Sequence, residues 1–344
     1  MTRVLITGGA GFVGGSLARS FLRDGSEVVL FDNLRRRGSE WNLGELLRAG
    51  AKFVHGDVRV PADLDALEGN FDLLIEASAE PSVHAGIDGS PRYVIETNLG
   101  GAANCLEFAR ERCGGVVFLS TSRVYSIEAL RALPLIERET RFDLQLGGIT
   151  EDFSTRGSRS YYGASKLAAE LLCEEYAAHG GVKVVVNRCG VIAGPGQFGR
   201  SDQGVFTLWV ARHIFGRPLT YTGFGGTGKQ VRDLLHPDDL YDLIARQLQS
   251  LDAVSGETFN VGGGRQGSVS MQELTALCRE ATGATVPVTP VDTTASVDVP
   301  WYITDHAKVT QRFGWTPRRD PESIVRDIAT WIGSNRDTLR DLIV

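Results

Sequence analysis

The segment from residue 4 to residue 23 constrains the fold of this chain more than any other. An apolar run over residues 4–6 predicts a short buried strand, and TGGAGFVGG follows at once and opens a helical pattern over residues 12–23. Gly8 permits the tight turn, Gly11 lets the backbone approach a pyrophosphate, and Gly14 allows the helix to pack closely on the strand. Glycines that only form a turn are the alternative, but this order of strand, turn and helix favours a phosphate at the helix N-terminus.

Short apolar runs alternate with helical patterns through the first half of the chain. Because such alternation is typical of βαβ units, it predicts an α/β fold with a Rossmann-type, doubly wound parallel sheet. The predicted strands are residues 4–6, 28–31, 52–55, 73–75, 116–119 and 182–187, and the predicted helices are residues 12–23, 41–48, 62–67, 91–112 and 162–179.

The alternation of predicted strands and helices ends after residue 187. A stretch rich in Gly and Pro, from residue 194 to residue 228, predicts loops over a site. Further helices are predicted at residues 204–215, 237–249, 270–281, 306–313 and 321–331, with an apolar segment at residues 258–261. We therefore expect a dinucleotide-binding domain over residues 1–188, with a return segment near residues 230–262, and a smaller mixed α/β C-terminal substrate lobe over residues 189–344.

Charge and cysteine content narrow the functional class. The formal net charge of -6 disfavours nucleic acid as a partner, because duplex binding depends on clustered Lys and Arg. The five cysteines are an odd number without metal-ligand spacing, which predicts a reducing cytoplasm and no metal site. The chain enters a strand within three residues and has no apolar run near about 18 residues, so we expect neither export nor membrane insertion.

Asp32 indicates which dinucleotide is bound. It closes the second predicted strand, about twenty residues after the glycine turn, where a carboxylate accepts hydrogen bonds from ribose hydroxyls and repels a 2'-phosphate. This predicts NAD, although Arg35 or Arg36 could instead pair with the phosphate of NADP. Asp57 is expected near adenine, with helix capping as its alternative role. The full set predicted to bind the cofactor is Gly8, Gly11, Phe12, Val13, Gly14, Asp32, Asn33, Arg36, Asp57, Val58, Ala77, Ser78, Ala79, Asn98, Tyr162, Lys166 and Cys189.

Tyr162 and Lys166 form the pair most informative about chemistry. They lie one helical turn apart in YGASK, so both side chains are expected on one helix face. A free tyrosine titrates near about pH 10, and a neighbouring ammonium favours the phenolate. We therefore expect Lys166 to lower the pKa of Tyr162 towards the working range of a general base. An exposed helix face is the alternative for the pair in isolation.

A hydroxyl cluster follows the fifth predicted strand. FLSTSRVY delivers Ser120, Thr121 and Ser122 to the carboxyl edge of the sheet, where open α/β folds bind ligands. We predict that Thr121 bridges the substrate and Tyr162, with Ser122 as the second candidate. A strand-end cap is the alternative role for these hydroxyls.

With these residues assembled, the chain resembles the extended short-chain dehydrogenases/reductases (NAD-dependent epimerases and dehydratases) over nearly its full length. The resemblance rests on TGGAGFVG, STSRVY, YYGASK and KQVRDLLHPDDL. FDNLRRRG, FVHGDVR, GPGQFGRSDQG and FNVGGG are similar to the CDP-paratose 2-epimerase (CDP-tyvelose epimerase) branch. The resemblance implies that a nucleotide-diphosphate hexose is oxidised by tightly held NAD, turned as the keto sugar, and reduced on the opposite face.

The resemblance also implies which residues bind substrate. Arg232 matches an arginine used on the substrate diphosphate, with an ion pair to Asp233 or Asp238 as its structural alternative. Gln197 and Phe198 fall in the nucleotide-binding loop, where packing within the loop is the alternative. The full predicted set is Thr121, Val191, Gln197, Phe198, Gln203, Arg232 and His84.

The sequence departs from the family pattern around the sugar. Ser122 and Arg123 stand where dehydratases carry an Asp-Glu pair, which disfavours water elimination. Glu76, Glu80, Cys189 and Ser126 also replace the usual residues, and we expect these positions to line or border the sugar site.

Other functions remain open from the sequence. A nucleotide-sugar 4-epimerase or a keto-sugar reductase would use the same Tyr, Lys and Thr, and an NAD-binding sensor or scaffold is the non-enzymatic alternative. The resemblance further implies a homo-oligomer, a dimer or a tetramer.

Overall fold

The computed structural model describes residues 1–145, 147–199 and 204–343. In these residues the strands are β1 (Arg3–Thr7), β2 (Glu27–Asp32), β3 (Lys52–His55), β4 (Leu73–Glu76), β5 (Val116–Thr121), β6 (Ile136–Glu137), β7 (Phe142–Asp143), β8 (Val184–Cys189), β9 (Val191–Ile192), β10 (Leu219–Thr222), β11 (Val231–Leu235), β12 (Thr258–Val261), β13 (Ser268–Ser270), β14 (Val288–Val291) and β15 (Trp301–Tyr302). The α-helices are α1 (Phe12–Arg23), α2 (Ser39–Arg48), α3 (Pro61–Asp65), α4 (Arg92–Ile95), α5 (Gly101–Arg112), α6 (Ile127–Arg131), α7 (Tyr161–Ala178), α8 (Val205–Ile214), α9 (Pro237–Gln249), α10 (Leu251–Val254), α11 (Met271–Thr282), α12 (Ala307–Phe313), α13 (Pro321–Ser334) and α14 (Arg336–Ile343). A π-helical turn covers Glu96–Gly100, and 3₁₀ turns cover Ser122–Val124 and Phe224–Gly226.

The main sheet has the strand order β3-β2-β1-β4-β5-β8-β12, with every neighbouring pair parallel. Apolar side chains of both faces are buried, one face against α1, α2 and α9 and the other against α3, α5 and α7. The chain leaves β1 towards β2 and β3 and then crosses to β4 and β5, so a crevice forms at the carboxyl ends between β1 and β4. The Rossmann-type, doubly wound parallel sheet predicted from the sequence is confirmed.

The helix expected over residues 91–112 is interrupted. The structure divides it into α4, the π-helical turn and α5, with two consecutive glycines at the last junction. Asn98 lies inside the π-helical turn, where its side-chain oxygen accepts from the Glu80 N–H at 2.8 Å. Its amide nitrogen donates to the Glu80 carbonyl at 3.1 Å and to Ser165 Oγ at 3.2 Å. These bonds tie the π-helical turn to a loop and to α7.

The C-terminal region forms smaller sheets covered by helices. Strands β10 and β14 pair in parallel, while β11 lies between β13 and β15 and also pairs with β9. The apolar faces of α8, α11 and α13 share one buried cluster. A capping box between Ser270 and Glu273 starts α11 at its observed position. Among the residues described, no helix is long and apolar enough to cross a membrane.

Candidate active site

A cavity of about 670 Å³ follows the carboxyl ends of the central strands. It begins at the turn after β1 and reaches the start of α7, at the sheet edge where open α/β folds bind dinucleotides. The residues of the predicted cofactor set that line it are Gly8, Gly11, Phe12, Val13, Gly14, Asp32, Asn33, Arg36, Val58, Ala77, Ser78, Ala79, Tyr162 and Lys166.

The glycine turn has the geometry of a phosphate cradle. Gly8 has a φ of +63°, and a Cβ at this residue would meet the Ala77 carbonyl oxygen at 2.8 Å. A Cβ at Gly14 would lie 2.3 Å from the Gly8 carbonyl oxygen, so α1 could not approach the turn this closely with any side chain there. A Cβ at Gly11 would meet only Gly8, at 3.1 Å, which leaves its backbone open to a ligand. These observations fit a bound pyrophosphate.

The far end of the cavity fits an adenosine. Asp32 accepts backbone N–H bonds from Ala10 at 3.1 Å and from Leu34 at 2.8 Å, which fixes its carboxylate at the cavity wall. Burial raises the pKa of Asp32, with these backbone bonds acting in the opposite direction. The Arg35 guanidinium lies 4.0 Å from the centre of the Tyr93 ring, so a planar cation and an aromatic side chain border the same end.

Three residues predicted to bind the cofactor do not line this cavity: Asp57, Asn98 and Cys189. Asp57 is held by Arg59, whose Nη2 lies 2.6 Å from Oδ2, and by the Asn33 amide at 3.0 Å, and these bonds lower its pKa. It also accepts from the Arg59 N–H, so it organises the turn before α3. Asn98 is fully buried, and its amide is used by Glu80 and Ser165. The polar partners of Asp57 and Asn98 could not be recognised from sequence position alone, and they hold both side chains outside the cavity lining.

Tyr162 stands where two cavities meet. It lines the cofactor cavity and a second cavity of about 750 Å³ that extends towards the C-terminal region. The Ser160 hydroxyl caps α7 by accepting from the Gly163 N–H at 3.3 Å, which fixes the start of the helix that carries Tyr162. The Thr121 side chain is close enough to Tyr162 to act on the pKa of its phenol, and its hydroxyl accepts from the Arg123 N–H at 3.2 Å. The predicted hydroxyl and phenol therefore lie together.

The expected fall in the pKa of Tyr162 is not found. Burial raises the pKa of this phenol, and the opposing effects of the Lys166 ammonium and the Thr121 hydroxyl are smaller. The Lys166 ammonium itself lies 3.2 Å from a carboxylate oxygen of Glu76, and both side chains are only 2% exposed. The sequence analysis considered the ammonium but not the desolvation of the phenol or this buried carboxylate.

The second cavity collects most of the predicted substrate residues. Those that line it are Thr121, Val191, Gln197, Arg232 and His84, together with Ser122, the second catalytic candidate, and Cys189, which was predicted for the cofactor. Cys189 lies at the end of β8, on the substrate side of Tyr162, and its thiol donates to the Asn187 carbonyl at 3.6 Å. Ser120 lines both cavities, but its hydroxyl donates to the buried Glu170 carboxylate.

Arg232 is held in place from several sides. Its guanidinium donates to Asp298 at 2.9 Å, to the Val299 carbonyl at 2.7 Å and to the Val231 carbonyl at 2.7 Å. The structural alternative named Asp233 or Asp238 as the ion-pair partner, but Asp298 takes that place. Burial lowers the pKa of Arg232 to about 10, so the group remains a cation at neutral pH.

The loop after β9 is used partly for packing. The Gln197 amide bonds to the Ile192 carbonyl at 3.3 Å and accepts from Thr207 at 2.7 Å. The Phe198 ring packs edge-on against Trp41 and Trp331 and lines only a small adjoining cavity, which corrects its predicted place in the substrate cavity. Gln203 lies outside the described residues.

The departures from the family pattern lie in different places. Glu80 lines the cofactor cavity, whereas Glu76 lies buried behind it. Ser126 lines neither of the two large cavities, because its hydroxyl caps α6 by accepting from the Ala129 N–H at 3.3 Å.

Some lining residues escaped the sequence analysis. Arg123 was noted only for the acid it replaces, but it lines the second cavity and donates to the Val297 carbonyl at 3.2 Å. Trp209 and Tyr221, on α8 and β10, stack in parallel at 6.2 Å along the same wall. An aromatic residue in each of two separate elements gives no local signal of this contact.

The chain matches the NAD dependent epimerase/dehydratase family over residues 4–262. It is 32% identical to a CDP-paratose 2-epimerase of Salmonella typhi, with 96% of this chain and 99% of the relative covered. It is also similar to the structure of DesIV, a dTDP-glucose 4,6-dehydratase of Streptomyces venezuelae with NAD bound (27% identity, TM-score 0.81, 99% and 100% coverage). A UDP-glucose 4-epimerase of Thermus thermophilus in complex with NAD is 26% identical, with a TM-score of 0.78 and 96% and 99% coverage.

The match covers well over half of the chain, and both solved structures contain NAD. NAD is the cofactor, and the predicted resemblance is confirmed. The chain belongs to the NAD-dependent epimerase/dehydratase family, as an enzyme of the extended short-chain dehydrogenase/reductase type.

Proposed function

We propose that the protein is an epimerase that inverts C2 of a CDP-linked hexose or of a hexose linked to another nucleoside diphosphate. The observation that carries this proposal is the position of Tyr162, which lines both the cofactor cavity and the second, arginine-lined cavity. A sugar hydroxyl at this junction would face both the phenol and the nicotinamide end of the cofactor cavity. The similarity to a CDP-paratose 2-epimerase supports the carbon and the nucleotide.

In this proposal, the side chains where the two cavities meet transfer the proton of the sugar hydroxyl. When bound, NAD supplies a hydride acceptor that later returns the hydride to the sugar. Tyr162 Oη takes the proton of the hydroxyl that is oxidised and gives it back on reduction. Thr121 Oγ1 bridges Tyr162 and that hydroxyl, while the Lys166 ammonium stabilises the phenolate. Ser122 offers a second donor on the same wall.

The second cavity is suited to a nucleotide-linked sugar. Arg232 presents a guanidinium with several donors, and Arg123 and Arg212 add further cations to the lining, which suits a diphosphate. The Trp209 and Tyr221 rings provide an apolar wall along the cavity. We propose that Val191, Gln197 and His84 complete the substrate site.

The charges of this cavity favour epimerisation over water elimination. Among the described lining residues, the only carboxylate is that of Asp298, and it is ion-paired with Arg232 at 2.9 Å. Elimination of water needs an acid and a base besides the tyrosine. Arg123 cannot serve as either, because its guanidinium does not lose a proton at neutral pH.

A panel of CDP-, UDP-, GDP- and dTDP-hexoses in deuterated water, followed by NMR, tests this function. The proposal predicts inversion at C2 of a CDP-hexose, with no deuterium at the inverted carbon. Inversion at C4 would instead support the 4-epimerase alternative, and deuterium at the inverted carbon would contradict internal return of hydride. NAD content distinguishes the reductase alternative, because an epimerase regenerates NAD in each cycle and is expected to retain it through purification.

We further propose a cytoplasmic homo-oligomer. The free state of all five cysteines supports a reducing compartment. Light scattering of the purified protein measures the oligomer, with a dimer or a tetramer expected and a monomer contradicting it.

A further inference from the structure

A buried carboxylate lies behind the proposed catalytic pair. Glu76 is the last residue of β4, in the centre of the sheet, with Thr7 of β1 and Phe118 of β5 as its neighbours in register. Its Oε2 lies 3.2 Å from Nζ of Lys166, and each side chain is only 2% exposed. An ion pair this deeply buried is uncommon, because both charges lose their hydration.

The Lys166 ammonium is fixed by its surroundings. It lies 4.3 Å from the centre of the Phe118 ring as well as beside Glu76. The Ser78 N–H, at the start of the cofactor-lining loop, acts on the Glu76 carboxylate and favours its charged form. The side chain of Lys166 is therefore held between a carboxylate, an aromatic face and the phenol of Tyr162.

Few other groups that face Glu76 can change charge. Cys105 of α5 and Cys173 of α7 are close enough to interact with it electrostatically. Burial raises the pKa of both thiols, so they stay neutral across the working range. Lys166 is the cation that compensates Glu76, and burial raises the pKa of Glu76 against that compensation.

Few groups near Tyr162 can change charge either. Cys189 of β8 faces both Tyr162 and Lys166, and burial raises the pKa of this thiol to about 12, so it too stays neutral. Arg123, in the 3₁₀ turn after β5, adds a fixed positive charge, and Thr121 adds a hydroxyl. The charge of Glu76 is therefore the variable that decides how much of the Lys166 ammonium is available to the phenolate.

We propose that Glu76 is a positioning residue that holds Lys166 in place and sets the pH at which Tyr162 can accept the substrate proton. The carboxylate shares the ammonium with the phenolate, so it moves the ionisation of Tyr162 to higher pH than an unpaired lysine would. This inference rests on the proposed role of Tyr162 as the base.

The pH dependence of Glu76→Gln tests the proposal. Gln keeps the shape but not the charge, so the acidic limb of the kcat/KM profile is expected to move down by about one pH unit. A readout independent of turnover is the tyrosinate absorbance, titrated in both proteins after subtraction of the matching Tyr162→Phe spectra, and it is expected to move by the same amount. The matched control is Asp239→Asn, which removes a buried carboxylate paired with Arg319 at 2.6 Å and should leave both titrations unchanged.

The outcomes separate this inference from the proposed function. Unchanged titrations in folded Glu76→Gln would overturn the role of Glu76 even if Tyr162→Phe is inactive. Unchanged turnover in Tyr162→Phe would instead overturn the proposed function. Glu76→Asp keeps the negative charge but places it one methylene farther from Lys166. The acidic limb of its kcat/KM profile should therefore fall between those of the parent protein and Glu76→Gln. If Glu76→Gln does not fold, an unmoved profile in folded Glu76→Asp overturns the inference.

Discussion

At Tyr162, burial changes the pKa that the sequence motif predicts for the phenol. The spacing to Lys166 places both groups on one helix, but burial raises the pKa of the phenol and Glu76 shares the ammonium. In the proposed mechanism, the bound substrate hydroxyl and the Thr121 hydroxyl bring the proton into position for this pair. This dependence explains why two residues four positions apart do not by themselves define an active base.

Tyr162→Phe removes the phenol oxygen and leaves the cofactor cavity otherwise intact. We expect turnover to fall by about 10²-fold to 10⁴-fold, the usual contribution of a general acid–base group, while NAD remains bound. Steady-state kinetics and the NAD content of the purified variant measure the two effects. Tyr161→Phe, at the exposed neighbouring tyrosine, is the control and should retain activity. Retained turnover in Tyr162→Phe would eliminate the proposed base.

Arg232→Met tests the substrate side. Loss of a charge-assisted contact to a diphosphate is expected to raise KM for the nucleotide sugar by about 10-fold to 100-fold, with a smaller effect on kcat. The exposed Arg138→Met is the control. Because Asp298 loses its ion-pair partner in the variant, the free energy of unfolding must be measured together with KM. An unchanged KM in a folded variant would remove Arg232 from the substrate site.

At the scale of elements, the first half of the fold could be predicted closely from the sequence. The helix α1 has the predicted bounds, and the predicted strands lie within a few residues of the observed ones, because apolar runs buried on both faces leave a strong signal. The π-helical turn at Glu96–Gly100 was not predicted, and the bonds that tie Asn98 to Glu80 and Ser165 join residues far apart along the chain. Strands such as β9 and β15 are only two residues long and carry no periodicity.

The same distinction applies to the candidate site. Backbone requirements, such as the glycines before α1, are encoded locally and could be recognised in the sequence. Side-chain direction is harder to predict, because it depends on which partner a side chain meets. Asp57 bonds to the nearby Arg59, and Phe198 packs on the distant Trp331, so neither lines the large cavities. The partner of Arg232 lies 66 residues away along the chain and could not be identified by spacing.

The close packing of the turn before α1 predicts that a side chain at Gly14 weakens NAD binding. Gly14→Ala would place a Cβ 2.3 Å from the Gly8 carbonyl oxygen, so the helix must move away from the turn that cradles the phosphates. We expect NAD to be lost during purification and its Kd to rise by at least about 10-fold, because the backbone donors lose their alignment. Calorimetric titration measures this affinity. Gly25→Ala, at a position with open space around its Cβ and a φ of +80°, is the control for a strained glycine outside the site and should bind NAD normally.

At the scale of the whole molecule, Asp233 links the C-terminal region to the end of the main sheet. It lies in β11, is fully buried, and accepts from the Gly264 N–H at 3.0 Å, just after β12. Burial raises its pKa from 3.8 to about 6. The stability that this group contributes is therefore complete below about pH 3.8 and is lost as the pH rises through about 6.

Asp233→Asn removes that titration. Relative to the variant, the parent protein is expected to lose about 1–2 kcal/mol of unfolding free energy between pH 5 and pH 8. Urea denaturation of both proteins at the two pH values measures the difference. Asp320→Asn is the control, because the pKa of that carboxylate is lowered and it stays ionised throughout this range. A constant difference between parent and Asp233→Asn would contradict the assigned titration.

In the proposed reaction, one hydrogen leaves C2 of the sugar and returns to it within the same enclosed site. The most direct measurement is mass spectrometry and NMR of the product formed from a CDP-hexose that carries deuterium at C2, in ordinary water. The account predicts an inverted C2 that keeps its deuterium. An inverted C2 that has exchanged the deuterium for solvent hydrogen would contradict it.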